Sequence, residues 1–542
     1  MSRLVLRRRA GLTVASIAVA ATALLGSTAS VASAHRNDPP FPPSTPSTPS
    51  TPVPILTPDG QLMSYIVNAG ESERSDEAKD GAKDAEGSSS KGSGRDRTEL
   101  TRRVERAVVR AGGVVVQSWP QIGVVVAHSE RAAFRTDVVR YGEHAVESVG
   151  ASRTVAVSEG TPAAVPTTWG RSLAAARTAG ARVTKDLTTE SAAAVAPDPR
   201  ESEQWDNVQI KADQAHQITD GSRNVTVGVL DSGIDGTHPD LRANLDVADS
   251  VNCSDAGRPD LSATGWLDNK GPGGYHGTHV AGTIGAARNG IGIVGVAPNV
   301  RLASVKVVNN DGFIYPEYAV CGFIWAGLKH MDVTNNSYFV DPFQFYCEDQ
   351  PDQYAAKEAV RRAVAWSTRR GVVHAAAAGN AATDLSNNTT DNGSPDDSTP
   401  VPRTINSGCH DIPTELPGVV TVSATTQSTA LASFSNRGLG VIDVAAPGRR
   451  ILSTLPLTTS PTGYGLLSGT SMASPHVAGV LALMKSAHPT WKPAQLVAKV
   501  RAQADDHACA AAENNGGPAC VGPVLDNSFY GEGIVDALDA VR

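Results

Sequence analysis

The stretch that decides the fold is Ser468–Gly479, SGTSMASPHVAG, with the apolar, helix-compatible segment Val477–Met484 running on from it. Ser471 stands among the small residues Gly469, Thr470 and Ala473. This pattern puts a hydroxyl at the opening of a helix, beside unpaired backbone N–H groups and the positive end of the helix dipole. Such a field stabilises both an alkoxide and a developing oxyanion. A serine hydroxyl is a weak nucleophile until a base takes its proton, so the chain must also supply a histidine and a carboxylate to orient it. Pro475, four residues on, removes a backbone donor and is expected to perturb the helix.

Outward from this stretch, short apolar runs alternate with helical patterns. The runs are 225–230 (VTVGVL), 301–308, 332–336, 371–378, 418–424 and 441–446. Helical spacing covers 277–287, 316–330, 352–368 and 471–486. Apolar strands alternating with helices predict an α/β fold, a mostly parallel sheet covered on both faces. Active residues collect at the carboxyl ends of such strands. Asp231 directly follows VTVGVL, and His276 lies in GYHGTHVAGTIG, where a helix begins. The chain order is Asp, His, Ser. An α/β-hydrolase runs Ser, Asp, His around G-x-S-x-G; here the nucleophile motif is GTSMA and comes last, which excludes that class. His276 and His279 have a spacing that suits a metal, but no third ligand motif accompanies them.

With AAAGN at 376–380, these three motifs resemble the subtilisin-like serine proteases, from about Val208 to Val541 and including the closing YGEGIVDALDA. The resemblance implies a three-layer subtilisin-like fold and hydrolysis of peptide bonds in polypeptide substrates through an acyl-enzyme, with no cofactor for catalysis. Ser471 would be the nucleophile, His276 the base and Asp231 its orienting carboxylate. Asn380 would supply the oxyanion-hole amide. Ser337, in TNNSYF, would pair its backbone with the substrate; two places later Phe339 stands where the family has a small residue. Asp240 and the loop ARNGIGI at 287–293 resemble the family's calcium loop, with Asp240, Asn289, Ile291 and Ile293 as oxygen ligands of a structural calcium ion. A peptide ligase and a catalytically silent scaffold are the rival readings on the same fold. The long, irregular segment after Asn380 falls where the family shapes its primary specificity pocket, and a disulfide through Cys409 would brace it.

The N-terminal part has a different character. Arg3 and Arg7–Arg9, an apolar run over 11–25 and Ala32-Ser33-Ala34 form the pattern of a secretory signal peptide, 1–34. The expected product is secreted and extracellular, with no membrane association after signal removal. Residues 35–58 are a Pro/Ser/Thr-rich linker. Residues 62–69 predict a strand, 98–112 a helix, 114–118 and 123–127 strands, 130–141 a helix and 154–157 a last strand. This β-α-β-β-α-β order is a small α+β domain, 59–158, with a charged, disordered insertion at 71–97. It resembles the family's inhibitor-type propeptide, which implies an intramolecular chaperone and temporary inhibitor. A linker over 159–202 leads to the catalytic domain, 203–542. All six cysteines lie in the second half and fit an oxidising destination. Fifteen pairings are possible, and Cys509 with Cys520, bracketing a short loop, is the simplest pair. The net charge of −8 argues against a nucleic-acid partner.

Overall fold

The computed structural model describes residues 48–70, 89–161, 197–509, 512–513 and 517–542. The signal segment, most of the charged insertion (71–88) and most of the second linker (162–196) lie outside the described residues.

The small N-terminal region contains β1 (Met63–Ala69), α1 (Ser89–Arg110), β2 (Val114–Trp119), β3 (Val124–Ser129), α2 (Phe134–Gly142) and β4 (Val146–Ala151). Its four-stranded sheet has the order β2-β3-β1-β4. The expected stripe of α1 is buried at Val104, Ala107, Val108 and Ala111. Three expectations need correction. Residues 89–97, read as part of the insertion, are the first turns of α1, because a helix nucleated on an apolar stripe propagates into polar neighbours. The last strand is Val146–Ala151, not 154–157, and it pairs antiparallel with β1. Its alternation is interrupted by a register shift at Ala69, which masked the period. The Pro-rich stretch is also more than a spacer from residue 48 onward. Val53 and Ile55 are buried, Thr51 N–H donates to Thr404 O at 2.9 Å, and Ser50 Oγ donates to Asp349 at 2.7 Å.

The larger part is an eight-stranded sheet. Its strands are β5 (Thr226–Asp231), β6 (Val251–Asp255), β7 (Arg258–Asp260), β8 (Arg301–Lys306), β9 (Val333–Asn336), β10 (Val373–Ala377), β11 (Val419–Thr425) and β12 (Val444–Pro447). The order is β12-β11-β10-β9-β5-β8-β6-β7, parallel throughout except for the β6–β7 pair. Successive strand residues face opposite sides. Leu230, Ala303 and Ala376 join one core with α4 (Pro316–Leu328) and α5 (Pro351–Arg369). Val229, Leu302 and Ala375 join the other with α3 (His276–Gly285) and α6 (Thr470–Ala487). Hence the three layers: helices, sheet, helices. The first core also takes in Met63, Tyr65, Phe134 and Val149, so the small sheet and the α4–α5 layer share one hydrophobic cluster.

That junction is polar as well. Arg135 Nη1 donates to both carboxylate oxygens of Asp352 at 2.7 and 2.6 Å. Arg153, 2 % exposed, donates to Glu317 Oε1 at 2.6 Å and lies over the Tyr315 ring. Three disulfides, Cys253–Cys321, Cys347–Cys409 and Cys509–Cys520, account for all the cysteines.

Candidate active site

The carboxyl ends of β5, β9 and β10 lie side by side because all three run parallel. Asp231 ends β5 and is buried. Ser337 follows β9, and Gly379-Asn380 follows β10. The helices α3 and α6 open toward the same edge, bringing His276 and Ser471 there.

His276 Nδ1 lies 2.9 and 3.0 Å from the two oxygens of Asp231. Ser232 N–H donates to Asp231 Oδ1 at 2.7 Å, which holds the carboxylate. Gly277 makes this approach possible: a Cβ there would lie 2.3 Å from the Gly233 carbonyl oxygen. Burial by itself would lower the His276 imidazole, but the Asp231 carboxylate outweighs it and raises the ring above its ordinary value.

Ser471 is in the first turn of α6, where backbone N–H groups have no intrahelical partner. Its hydroxyl donates to Ser337 O at 3.2 Å rather than to His276. Ser337 Oγ in return donates to Ser471 O at 2.9 Å. This reciprocal pair explains Pro475. The proline removes the N–H that would bond the Ser471 carbonyl, and the Ser337 hydroxyl takes its place, so α6 continues through it. Asn335 Nδ2 donates to Ser337 Oγ at 2.8 Å, and Ser474 Oγ donates to Asn335 Oδ1 at 2.7 Å. Asn380 Oδ1 accepts from Thr470 N–H at 2.8 Å and from Thr470 Oγ1 at 3.0 Å. That anchorage leaves the Asn380 amide N–H groups available at the opening of α6. Asn335, Thr470 and Ser474 were not singled out from sequence; two consecutive asparagines ending a buried apolar strand are the signal that was there. His279 is buried among carbonyls, with Nε2 3.1 Å from Ile451 O, and desolvation lowers it to about 3. Among the described residues it joins no cluster of three metal ligands.

The calcium-type loop follows α3 in the chain. Asp240 Oδ2 accepts from Ile293 N–H at 3.1 Å and from the Tyr464 hydroxyl at 2.7 Å, while its Oδ1 is buried without a partner. Asn289 Oδ1 accepts from Ile291 N–H at 3.1 Å. Asp198, which the sequence reading missed, accepts from Gly290 N–H at 2.6 Å. Burial, with Glu201 and Asp240 nearby, lifts the Asp198 carboxyl above its ordinary range, and burial lifts Asp240 too. Two largely buried carboxylates and an unpaired buried oxygen fit a hard cation.

Residues 222–523 match the model of the subtilase family. Subtilisin E of Bacillus subtilis (strain 168) is 35% identical over 335 residues, 62% of this chain and 70% of the relative. Subtilisin of Bacillus pumilus is 37% identical over 288 residues, 53% of this chain and 86% of the relative. Among solved structures, the epidermin leader peptide processing serine protease of Staphylococcus aureus superposes with a TM-score of 0.59 at 18% identity, covering 89% of this chain and 98% of that one. Fervidolysin of Fervidobacterium pennivorans, a keratinolytic enzyme related to subtilisin, gives 0.56 at 24% identity, covering 89% of this chain and 61% of that one.

Proposed function

The chain belongs to the subtilase family and is a serine-type endopeptidase, and from that premise we propose that it is an exported, self-maturing enzyme working through Asp231, His276 and Ser471. The observation that carries the reading is the His276–Asp231 pair beside a serine at a helix opening.

Rotation of the Ser471 hydroxyl from Ser337 O toward His276 starts the reaction. Oγ attacks the carbonyl carbon as His276 takes its proton, and Asp231 stabilises the imidazolium and holds its tautomer. The carbonyl oxygen becomes an oxyanion, received by Asn380 N–H and the Ser471 backbone N–H. Collapse breaks the C–N bond, and His276 returns the proton to the leaving amine. Water then cleaves the acyl-enzyme with the same proton path in reverse. In subtilisin itself, losing the amide equivalent to Asn380 costs about 10²–10³ in kcat.

Residues 1–34 are the export signal, 35–58 a connecting segment, 59–158 the propeptide domain, 159–202 the cleaved linker and 203–542 the mature enzyme. The shared core and buried ion pairs between the small sheet and the α4–α5 layer support a folding template. Among the described residues no helix is long and apolar enough to cross a membrane. A structural calcium ion would be held by Asp240, Asp198, Asn289 and the carbonyls of Ile291 and Ile293, supplying stability and no catalytic step. Stoichiometric labelling of Ser471 by a fluorophosphonate, lost in His276→Ala, tests the mechanism. Equal labelling of both proteins would sink it.

A further inference from the structure

The crevice beside Ser471 has a floor with a buried carboxyl that the mechanism does not use. Two stretches flank the reacting centre: 337–340 on the side where Ser471 meets Ser337, and 377–380 on the side of Asn380. The side chain of the acyl residue is attached next to the carbonyl that these groups receive, so it descends between the two stretches. Residues 411–414 close the space beneath. Val340 N–H donates to Ile412 O at 2.9 Å, and Thr414 Oγ1 donates to Ala377 O at 2.6 Å, tying this segment to both walls.

Asp411 stands at the start of that floor and is 1 % exposed. Its Oδ1 is buried without a hydrogen-bond partner. Its Oδ2 lies 3.8 Å from where a Gly379 Cβ would stand, beside the Asn436 amide, whose Nδ2 is 2.4 Å from the same point and donates to Ala378 O at 2.7 Å. Among the described residues no cation pairs with Asp411. Arg403 is committed to Asp391 at 2.6 Å, and Lys357 to Glu348 at 2.7 Å and His410 at 2.6 Å. The other neighbours are acids and one amide. Glu415, whose carboxylate accepts Asp411 N–H at 2.6 Å, is pushed up to about 7 by burial. Burial, with Glu415 and Asp391 alongside, holds the Asp411 carboxyl well above its usual range, against a hydrogen bond from Gln344. A buried carboxyl with one oxygen left unpartnered is costly unless a ligand completes it.

We propose that Asp411 is the specificity-determining residue of this crevice and selects substrates with a lysine or arginine immediately N-terminal to the scissile bond. The ammonium or guanidinium of that residue supplies the donor and the positive charge that Asp411 lacks. The proposal rests on the reading of Ser471 as nucleophile.

The test uses the mature enzyme and peptides differing only at that position: Arg, Lys, Gln, Phe or Leu. Fluorophosphonate titration first counts active Ser471 independently of the peptide. The expected result is kcat/KM for Arg and Lys about 100-fold above Gln, Phe and Leu, the scale of one hydrogen bond to a charged group. Asp411→Asn should remove most of that preference, bringing the ratio of kcat/KM for Arg over Gln down toward one. Titratable enzyme that favours Phe or Leu, or an Asp411→Asn enzyme that keeps its basic preference, overturns the proposal. Absence of titratable serine overturns the nucleophile reading and this proposal with it. Should the variant fail to fold, wild-type inhibition decides: a peptide aldehyde ending in arginine binds more tightly than one ending in phenylalanine, and the reverse order overturns the assignment.

Discussion

The His276 imidazole sits between two opposed influences, burial that lowers it and the Asp231 carboxylate that raises it further. A base must be neutral to accept the Ser471 proton. Activity is therefore lost as pH falls through the raised His276 value, so the acid limb of kcat/KM has its midpoint above the ordinary imidazole value of about 6.5. Asp231→Asn removes the raising influence. The limb should move to lower pH and kcat fall by roughly 10⁴; a pH–rate profile checks both, and an unmoved limb counts against the coupling. At this scale the motif residues Asp231, His276, Ser471, Asn380 and Ser337 were legible, because each belongs to a short recognisable run. Asp198 and Asp411 were not. Each matters through what burial does to a carboxyl, and burial follows from long-range packing that no local pattern encodes.

At the scale of elements, α6 illustrates how a helix accommodates a proline. The sequence predicts a perturbation at Pro475; the structure keeps the helix over Thr470–Ala487 because Ser337 Oγ bonds the orphaned Ser471 carbonyl. Ser337→Ala leaves that carbonyl unpaired next to the proposed nucleophile. The expected cost is about 1–3 kcal/mol of stability, with a fall in kcat, read by denaturant unfolding and by kinetics on titrated enzyme. Unchanged stability would show that another group takes over the carbonyl. The calcium-type loop makes a second prediction at this scale. A cation site occupied at about 100 times its Kd contributes about 2.7 kcal/mol, so chelation should lower the calorimetric midpoint of the mature enzyme. An unmoved midpoint removes calcium from the account. Most strands and helices were readable within a residue or two from apolar runs and helical spacing. The exceptions were β6 and β7, which no predicted run covered, α2, which starts at Phe134 and not at 130, β4, which hid behind a register shift, and the N-terminal extension of α1, which hid behind its polar composition.

On the scale of the whole molecule, the small sheet and the enzyme layers are joined by a continuous apolar cluster and by buried charge. Arg153 and Glu317 are 2 % and 0 % exposed. Removing one partner strands the other in a low-dielectric interior, at about 3–5 kcal/mol. Arg153→Met, made in unprocessed Ser471→Ala protein, should lose stability on that scale in chemical denaturation; an unaffected transition would mean that the junction carries little of the fold. The β-α-β-β-α-β order of the small region was visible in the sequence, but its docking on α4 and α5 was not, because docking depends on long-range pairs such as Arg135 with Asp352. The most direct test of the central claim compares wild type and Ser471→Ala, secreted from one host, by intact mass and casein digestion. Wild type is expected to shed its N-terminal region within 159–202 and digest casein, while Ser471→Ala keeps the small domain and digests nothing. Equal shortening of both proteins, or a wild type without activity on casein, would contradict it.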